Sequence, residues 1–269
     1  MPEEIRDCMC DGQEGLLEFS RSIIKGVEIK RCRSVLHAYK PHVHNELSLG
    51  YIVEGSTDLS LNDNTLQFEA GDGVIIPALM THRCAPKDMQ HWAYEMLFVD
   101  PAYYCDVVRF HQATRLTGSR AHKLIEFIEQ LLLENNQDAL ENILIDLLLE
   151  FGDEDTCDPA VANMDALIRE IHDYILKNVR EAITLDMLEE VSGLNRFTII
   201  RNFKKQYVTT PAAYHLQFRV AEAKSLLSMG ANVFDVCEEL RFYDQSHLIR
   251  EFKKMYGITP AYYTEQLKA

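Results

Sequence analysis

Two segments of this chain are near copies of each other, and they lie 49 positions apart. Residues 201–214 read RNFKKQYVTTPAAY and residues 250–263 read REFKKMYGITPAYY, so nine of the 14 positions are identical. A close repeat that occurs only twice indicates two copies of one structural unit. The shared residues are basic, aromatic and helix-initiating, and this combination favours nucleic-acid binding over catalysis.

Each copy of the repeat belongs to a pattern of helix, short turn and helix. In the first copy, Thr184 is a predicted N-cap, and the helix that it opens is predicted to stop at Gly193. Asn195 is the predicted cap of the helix that follows. The second copy repeats the plan with predicted caps at Asn232 and Asp244. Both copies therefore read as helix-turn-helix motifs.

A Thr-Pro pair follows each motif, at residues 210–211 and 259–260. Threonine as N-cap and proline as the first helical residue predict the start of a further helix in both places. The helix that begins at Pro211 is predicted to reach about Met229 and to join the two motifs.

The charge of the chain is unevenly distributed. The net charge is −15, yet residues 161–269 hold 14 basic and 14 acidic side chains, which leaves the whole excess of acid in residues 1–160. Residues 191–220 contain five basic side chains and no acidic one. This local basic stripe is the electrostatic pattern that a DNA-binding surface requires.

The second helix of each motif supplies the predicted DNA contacts. Arginine and glutamine can read base edges in the major groove, whereas lysines near the helix C-termini suit phosphate contacts. Sequence preference should arise where the two copies differ. The predicted DNA-binding residues are Arg196, Phe197, Thr198, Arg201, Asn202, Lys204, Lys205, Gln245, Ser246, His247, Arg250, Lys253 and Lys254.

The first half of the chain has a different character. Residues 20–100 carry short β-branched runs and turn signals, which predict strands, and residues 120–150 carry two apolar helical patterns. Those two helices are expected either to pack on the strands or to form a dimer interface. We expect a domain over residues 1–151, a linker over 152–163, which is polar, and an all-helical domain over 164–269.

A group of polar residues in the first half is predicted to form a site. In a strand, His42, His44 and Glu46 would share one face because side chains alternate, and His82 follows a second β-rich segment. Imidazole and carboxylate ligands suit zinc, iron, nickel or manganese. The alternative is that these residues line a pocket for an organic effector. The predicted pocket residues are His42, His44, Glu46, Tyr51, His82 and Trp92.

Residues 165–266 resemble the DNA-binding domain of the AraC/XylS family of bacterial transcription regulators, most closely in the segment DQSHLIREFKKMYGITPAYY. Residues 20–100 resemble, more loosely, the cupin-like β-barrel sensor domain common in that family. The resemblance implies an α+β two-domain protein, with a β-barrel and following helices before the two motifs. Val208 and Arg241 stand where the family usually has glycine, which puts the local turn geometry in question.

We therefore expect a sequence-specific DNA-binding regulator that responds to a small-molecule effector in its N-terminal domain, and not an enzyme. The resemblance implies an activator that contacts RNA polymerase and forms a homodimer. The alternative is a metal-dependent cupin enzyme, or a metal sensor, with an appended DNA-binding domain. The seven scattered cysteines, together with the lack of a signal peptide or an apolar span, predict a cytoplasmic protein without membrane contact.

Overall fold

The computed structural model describes residues 15–35, 39–61, 64–104, 108–133, 136–152 and 164–268. The predicted linker lies outside these residues except for Gly152, so its extent stays a prediction. Among the described helices, none is long and apolar enough to cross a membrane.

Nine strands form the first part of the fold in the described residues. They are β1 Leu16–Arg21, β2 Val27–Arg33, β3 Leu47–Glu54, β4 Ser56–Ser60, β5 Thr65–Glu69, β6 Gly73–Ile76, β7 Arg83–Pro86, β8 Ala93–Val99 and β9 Thr114–Leu116. Buried and less buried residues alternate in β4, as in a strand with one face on the core, whereas β6 and β8 are buried throughout. Six strands pair antiparallel in the order β1-β2-β8-β3-β6-β9, and the other three form a second sheet in the order β5-β4-β7.

The β-rich domain with following helices was predicted correctly, and its described strands form two sheets that do not close into one barrel. The two sheets have separate strand orders, and the bridge between His42 and His82 lies outside the strands of both. A barrel would require edge strands of the two sheets to pair along their length. The described residues instead form two sheets with a core between them.

Two helices cover the outer face of the larger sheet, as the apolar helical patterns predicted. They are α1 (Gly118–Leu133) and α2 (Gln137–Phe151). Leu124, Phe127 and Leu144 are buried in one core with Leu47 and Leu49 of β3. Packing against the sheet therefore accounts for the inner faces of both helices.

Seven further helices form the C-terminal domain, and their ends follow the predicted capping residues. Side chains of Thr184, Asn195, Asn232 and Asp244 each accept a hydrogen bond from a backbone amide in the first turn of the helix that they open. The helices are α3 Met164–Lys177, α4 Leu185–Ser192, α5 Arg196–Tyr207, α6 Pro211–Ser228, α7 Val233–Glu239, α8 Gln245–Tyr256 and α9 Pro260–Gln266.

The turns where the sequence departs from glycine are strained. Val208 ends α5 with φ of 63° and Arg241 follows α7 with φ of 51°, both in the left-handed region. This backbone costs a residue with a Cβ roughly 1–2 kcal/mol. Leu79 also has a φ of 62°, in the turn before His82. The fold thus keeps three turns that glycine would enter without this cost.

The two domains share one hydrophobic core. Phe19 and Phe98 of the large sheet belong to the same buried cluster as Phe252, Tyr256 and Tyr263 of the C-terminal helices. The rings of Phe19 and Tyr263 meet edge to face with centroids 5.4 Å apart. Because this contact is apolar and continuous, the helical domain packs directly against the larger sheet.

Candidate DNA-binding surface and effector pocket

The first recognition helix, α5, holds an apolar face inward and presents the predicted contact residues outward. Ile199 and Phe203 are fully buried, whereas Arg201, Lys204 and Lys205 are exposed. Phe197 is 80% exposed, which is unusual for a large apolar ring and leaves it available to another molecule.

Two of the predicted DNA contacts in α5 are engaged within the helical domain. Arg196 binds carboxylates of α4, with its Nη2 2.7 Å from Asp186 and 3.3 Å from Glu189. The hydrogen bonds from Arg196 lower the pKa of the Glu189 carboxyl. Asn202 donates its amide to the Thr198 carbonyl at 2.9 Å. These two side chains are therefore held against the motif in this conformation.

The second recognition helix, α8, is built in the same way. Leu248 and Phe252 are buried, and Gln245, Ser246 and Arg250 are exposed at its start and middle. His247 is half-buried, with its ring 5.5 Å from that of Phe242 in an edge-on contact.

The predicted phosphate-binding lysines of α8 differ from each other in position. Lys254 is exposed, and its Nζ lies 2.7 Å from a Glu251 oxygen. Glu251 and Lys254 line a groove between the two domains, together with Lys40 of the N-terminal domain. Lys253 is half-buried. The side of α8 that carries Glu251 and Lys254 therefore borders the sensor domain.

The first half of the chain contains a mostly apolar pocket between the two sheets. Its cavity volume is about 50 Å³, which is small for a ligand site. Trp92 is buried in its wall, as are three histidines. The lining residues are Lys30, Tyr39, His42, His44, Ser48, Ile52, Thr57, Leu59, Phe68, Val74, Ile76, His82, Cys84, Trp92, Tyr94, Met96 and Phe98.

His42, His44 and His82 meet at one end of this pocket. One ring nitrogen from each lies within 4.8 Å of those of the other two, and all three residues are buried. The ring centroids are 4.4 Å to 5.1 Å apart. Burial lowers the pKa of His82 to about 4 and that of His44 well below its usual range. Both rings are therefore neutral at physiological pH.

The backbone hydrogen-bonds two of these rings. His42 Nδ1 lies 2.7 Å from the Lys40 carbonyl, and His82 Nδ1 lies 2.9 Å from the Met80 carbonyl. A carbonyl only accepts hydrogen bonds, so both Nδ1 atoms carry the proton. His44 differs from them, because its Nδ1 is buried without a hydrogen-bond partner among the described residues.

Two residues predicted for this site lie elsewhere. The expected strand over residues 42–46 does not form: the chain bends at Asn45 and Glu46, and β3 begins only at Leu47. The Glu46 side chain therefore does not share a face with the histidines. Its carboxylate binds Lys224 instead, at 2.6 Å. Tyr51 packs against the core under α1 and α2, on the opposite face of the large sheet from the pocket.

Lys30 is the principal pocket residue that the sequence analysis did not single out. Its side chain is buried, and its Nζ lies 3.1 Å from the Tyr39 hydroxyl. The ammonium also lies 4.8 Å to 5.5 Å from the ring centroids of Phe19, Tyr39 and Tyr94. None of the salt bridges between described residues includes Lys30.

Lys224 of α6 provides the contrast, because two carboxylates surround its buried ammonium. Glu28 and Glu46 of the N-terminal domain lie 2.8 Å and 2.6 Å from its Nζ. Burial opposes the charge, but the two carboxylates outweigh it and raise the pKa of Lys224. Glu28 also accepts the Tyr263 hydroxyl at 2.5 Å. These four side chains form the inter-domain charge cluster.

The pocket and the second recognition helix meet beside this cluster. The Tyr256 ring, in the last turn of α8, lies 6.0 Å from the His44 ring. Lys224 Nζ lies 4.6 Å from the centroid of Phe98, a pocket residue. A change around His44 or Phe98 therefore acts on α6 and α8 through direct packing.

Hydrogen bonds add to this junction along α6. The Tyr214 hydroxyl donates to the Leu79 carbonyl at 3.2 Å, and Gln217 donates to the Pro41 carbonyl at 2.9 Å. Leu79 in turn donates its amide to the His44 carbonyl at 2.7 Å. The backbone around the histidine cluster is therefore tied to the helix that joins the two motifs.

Comparison with known families agrees with this architecture. The family described as an AraC-like ligand binding domain matches residues 25–151, and that described as a helix-turn-helix domain matches residues 188–266. The first covers the two sheets with α1 and α2. The second covers both recognition helices.

Two curated proteins resemble the chain over most of its length. The uncharacterized HTH-type transcriptional regulator YbfI of Bacillus subtilis is 24% identical over 225 residues, which cover 78% of this chain and 81% of that protein. The uncharacterized HTH-type transcriptional regulator YdiP of Escherichia coli is 26% identical over 203 residues, which cover 68% of this chain and 66% of that protein.

Solved structures share the whole fold. Apo ToxT from Vibrio cholerae superposes with a TM-score of 0.59 at 11% identity, over 96% of this chain and all of that one. ToxT with a bound unsaturated fatty acid gives a TM-score of 0.57 at 10% identity, over 96% of this chain and 98% of that one. The two family matches and the curated relatives together show that the chain is an AraC-type transcriptional regulator, with an N-terminal ligand-binding domain and a C-terminal helix-turn-helix domain for double-stranded DNA.

Proposed function

We propose that this regulator responds to a small molecule with an acidic group, bound between the two sheets beside Lys30. The observation that carries the proposal is the buried Lys30 ammonium in the pocket wall, which has no carboxylate among its described partners. Burying an ion without a counter-ion costs several kcal/mol. Contacts with aromatic rings offset about 2 kcal/mol of this. An anionic ligand would offset much of the remainder.

The shared fold supports the same class of ligand. The ToxT structures include one with an unsaturated fatty acid and one with a substituted butenoic acid, and both ligands are carboxylic acids. The cavity here has a volume of only about 50 Å³, so it admits a much smaller molecule. A short-chain acid therefore fits the pocket better than a long fatty acid.

Acid binding can be tested by thermal unfolding with a panel of short carboxylic acids and their uncharged amides. We expect one acid to raise the melting temperature saturably in the wild type, because a ligand that binds only the folded state stabilises it. Lys30→Met should abolish the rise, and Lys25→Met, which removes an exposed lysine, should leave it unchanged. Equal stabilisation of Lys30→Met and wild type would contradict the proposal.

The DNA contacts are proposed for the outward faces of α5 and α8. Arg201 and Arg250 are exposed in the same position of the repeated segment, which supports base reading by both. Lys204, Lys205 and Lys253 are proposed to contact phosphates. Such contacts set affinity and register without reading sequence.

The same proposal includes activation of transcription, contact with RNA polymerase and formation of a homodimer. Action at a bacterial promoter would place the protein in the cytoplasm.

The dimer contact is proposed for α2, where Ile145 and Leu149 are exposed one helical turn apart. Leu149→Glu should then lower the oligomeric state measured by sedimentation, without loss of secondary structure. We propose a regulatory and not an enzymatic role for the pocket.

A further inference from the structure

We propose that His42, His44 and His82 bind one divalent transition-metal ion, and that zinc fits this ligand set best. The inference rests on the proposed function, because it assigns the metal to the same sensory pocket. Three imidazoles with an open fourth position are a ligand set that zinc accepts.

The distances bring the three rings close to a coordination geometry. Zinc binds imidazole nitrogens at roughly 2.0–2.1 Å, so tetrahedral ligand atoms lie about 3.4 Å apart. In this chain the three ligand atoms lie within 4.8 Å of one another. Side-chain rotations that move each nitrogen by about 1 Å would close the site, a shift within reach of ordinary rotamer adjustment.

The hydrogen bonds of two rings match those of metal-bound histidines. Metal-ligating histidines usually donate their other ring nitrogen to a carbonyl or carboxylate, which fixes the tautomer and the ring orientation. His42 and His82 both donate Nδ1–H to backbone carbonyls, at 2.7 Å and 2.9 Å. In this tautomer the Nε2 atom carries the lone pair that a metal requires.

The third ring contributes an independent observation. His44 Nδ1 is buried and lacks a hydrogen-bond partner among the described residues. Leaving a buried polar atom unsatisfied destabilises the folded state. Coordination of a metal through this atom would remove that cost.

The charges around the cluster specify what completes the site. Glu46 lies away from the histidines because it binds Lys224, so the three described ligands are neutral. Lys30 lines the same pocket and repels a bare dication. An anion at the fourth position would offset part of this positive charge. The acid proposed above would supply such an anion.

The direct test is metal titration of the full-length protein after dialysis against a chelator. Cobalt(II) serves as the spectroscopic probe and zinc as the competitor. We expect one cobalt per chain, with the intense visible absorption of a four- or five-coordinate site, displaced stoichiometrically by zinc. His44→Ala and His82→Ala should each weaken binding by more than about 100-fold, the upper end for loss of an outer-shell partner.

Two exposed histidines provide matched controls. His91 and His122 pair with Asp88 and Glu126 at the surface, so His91→Ala and His122→Ala should bind cobalt like the wild type. Less than about 0.2 equivalents of cobalt in the wild type would overturn the proposal, and this result needs no variant to fold. Unchanged binding in folded His44→Ala and His82→Ala would overturn it as well.

A parallel measurement separates this inference from the proposed function. Acid binding is followed by thermal unfolding in the metal-free protein and in the zinc-loaded protein. Stabilisation by an acid without any bound cobalt would reject the metal site and keep the acid effector. Stoichiometric cobalt without an acid response would support the metal site and reject the acid.

Discussion

The two helix-turn-helix motifs share their sequence plan but differ in what they touch. The first recognition helix, α5, packs against α3, α4 and α6 of its own domain. The second, α8, ends at Tyr256, which is buried beside His44 of the sensor pocket and beside Lys224. The second motif therefore contacts the sensor domain directly, whereas the first is linked to it through Tyr214 of α6. This difference indicates that a signal from the pocket reaches the second motif first.

The largest effect is expected from Lys224→Met, which would leave the half-buried Glu28 and Glu46 without their buried counter-ion. Loss of one partner from a buried ion cluster typically costs about 3–5 kcal/mol. The comparison predicts that part of this cost appears as loosening of α8, because Tyr256 packs against the same cluster. Chemical denaturation of the purified protein measures the total.

Lys123→Met is the matched control for that experiment. Lys123 pairs with Glu150 at the surface, at 2.8 Å, and exposed pairs contribute at most about 1 kcal/mol. A loss of similar size in the two variants would show that the inter-domain charge cluster has no special role.

The next effect concerns base reading. Arg201→Ala and Arg250→Ala should each weaken binding to the cognate operator by about 1–3 kcal/mol and relax specificity at one position. Lys204→Ala should weaken all DNA sequences alike and lower the salt dependence of binding. Competition titrations with operator and scrambled DNA distinguish the two behaviours. Identical profiles for the three variants would show that the arginines do not differ from Lys204 in how they bind DNA, so the division into base contacts and phosphate contacts would be wrong.

A smaller effect is expected at the residue that ends each recognition helix, which is a valine in the first motif and a glycine in the second. Val208 and Gly257 end the two recognition helices, with φ of 63° and 84°. Val208→Gly should stabilise the protein by about 1 kcal/mol, and Gly257→Val should destabilise it by at least as much. Thermal unfolding of both variants gives the answer. Destabilisation by Val208→Gly would mean that the valine side chain contributes more than its backbone costs.

The smallest effect is expected for Arg196→Ala. This guanidinium binds Asp186 and Glu189 of α4, so it is less available to DNA than Arg201. Because exposed ion pairs contribute little, we expect a loss of roughly 0.5 kcal/mol in operator affinity. A loss as large as that of Arg201→Ala in the same titration would show that Arg196 leaves α4 when DNA binds.

The helical domain could be predicted from sequence in detail, and the sensor domain only in outline. Capping residues act within three or four positions of the amides they bind, so Thr184, Asn195 and Asp244 marked their helices correctly. Whether the two sheets close into one barrel could not be predicted, because closure depends on pairing between distant edge strands. Such pairing leaves no local signal in the sequence.

The site was predictable where local spacing determined it. His42 and His44 alternate along an extended segment and do meet His82, whereas the bend at Asn45 removes Glu46 from them. Lys30 was missed because a lysine on a strand gives no sign of whether its face is buried. The pairing of Lys224 with Glu46 joins residues 178 positions apart, and nothing in either segment indicates the other.

Hydrogen–deuterium exchange of wild type and Lys224→Met tests most directly whether the second motif is coupled to the sensor more closely than the first. Peptides that cover residues 196–207 and 245–256 report on α5 and α8 within one experiment. We predict that exchange in Lys224→Met rises in α8, most strongly near Tyr256, and changes little in α5. An equal rise in both helices, or a rise confined to α5, would contradict the account.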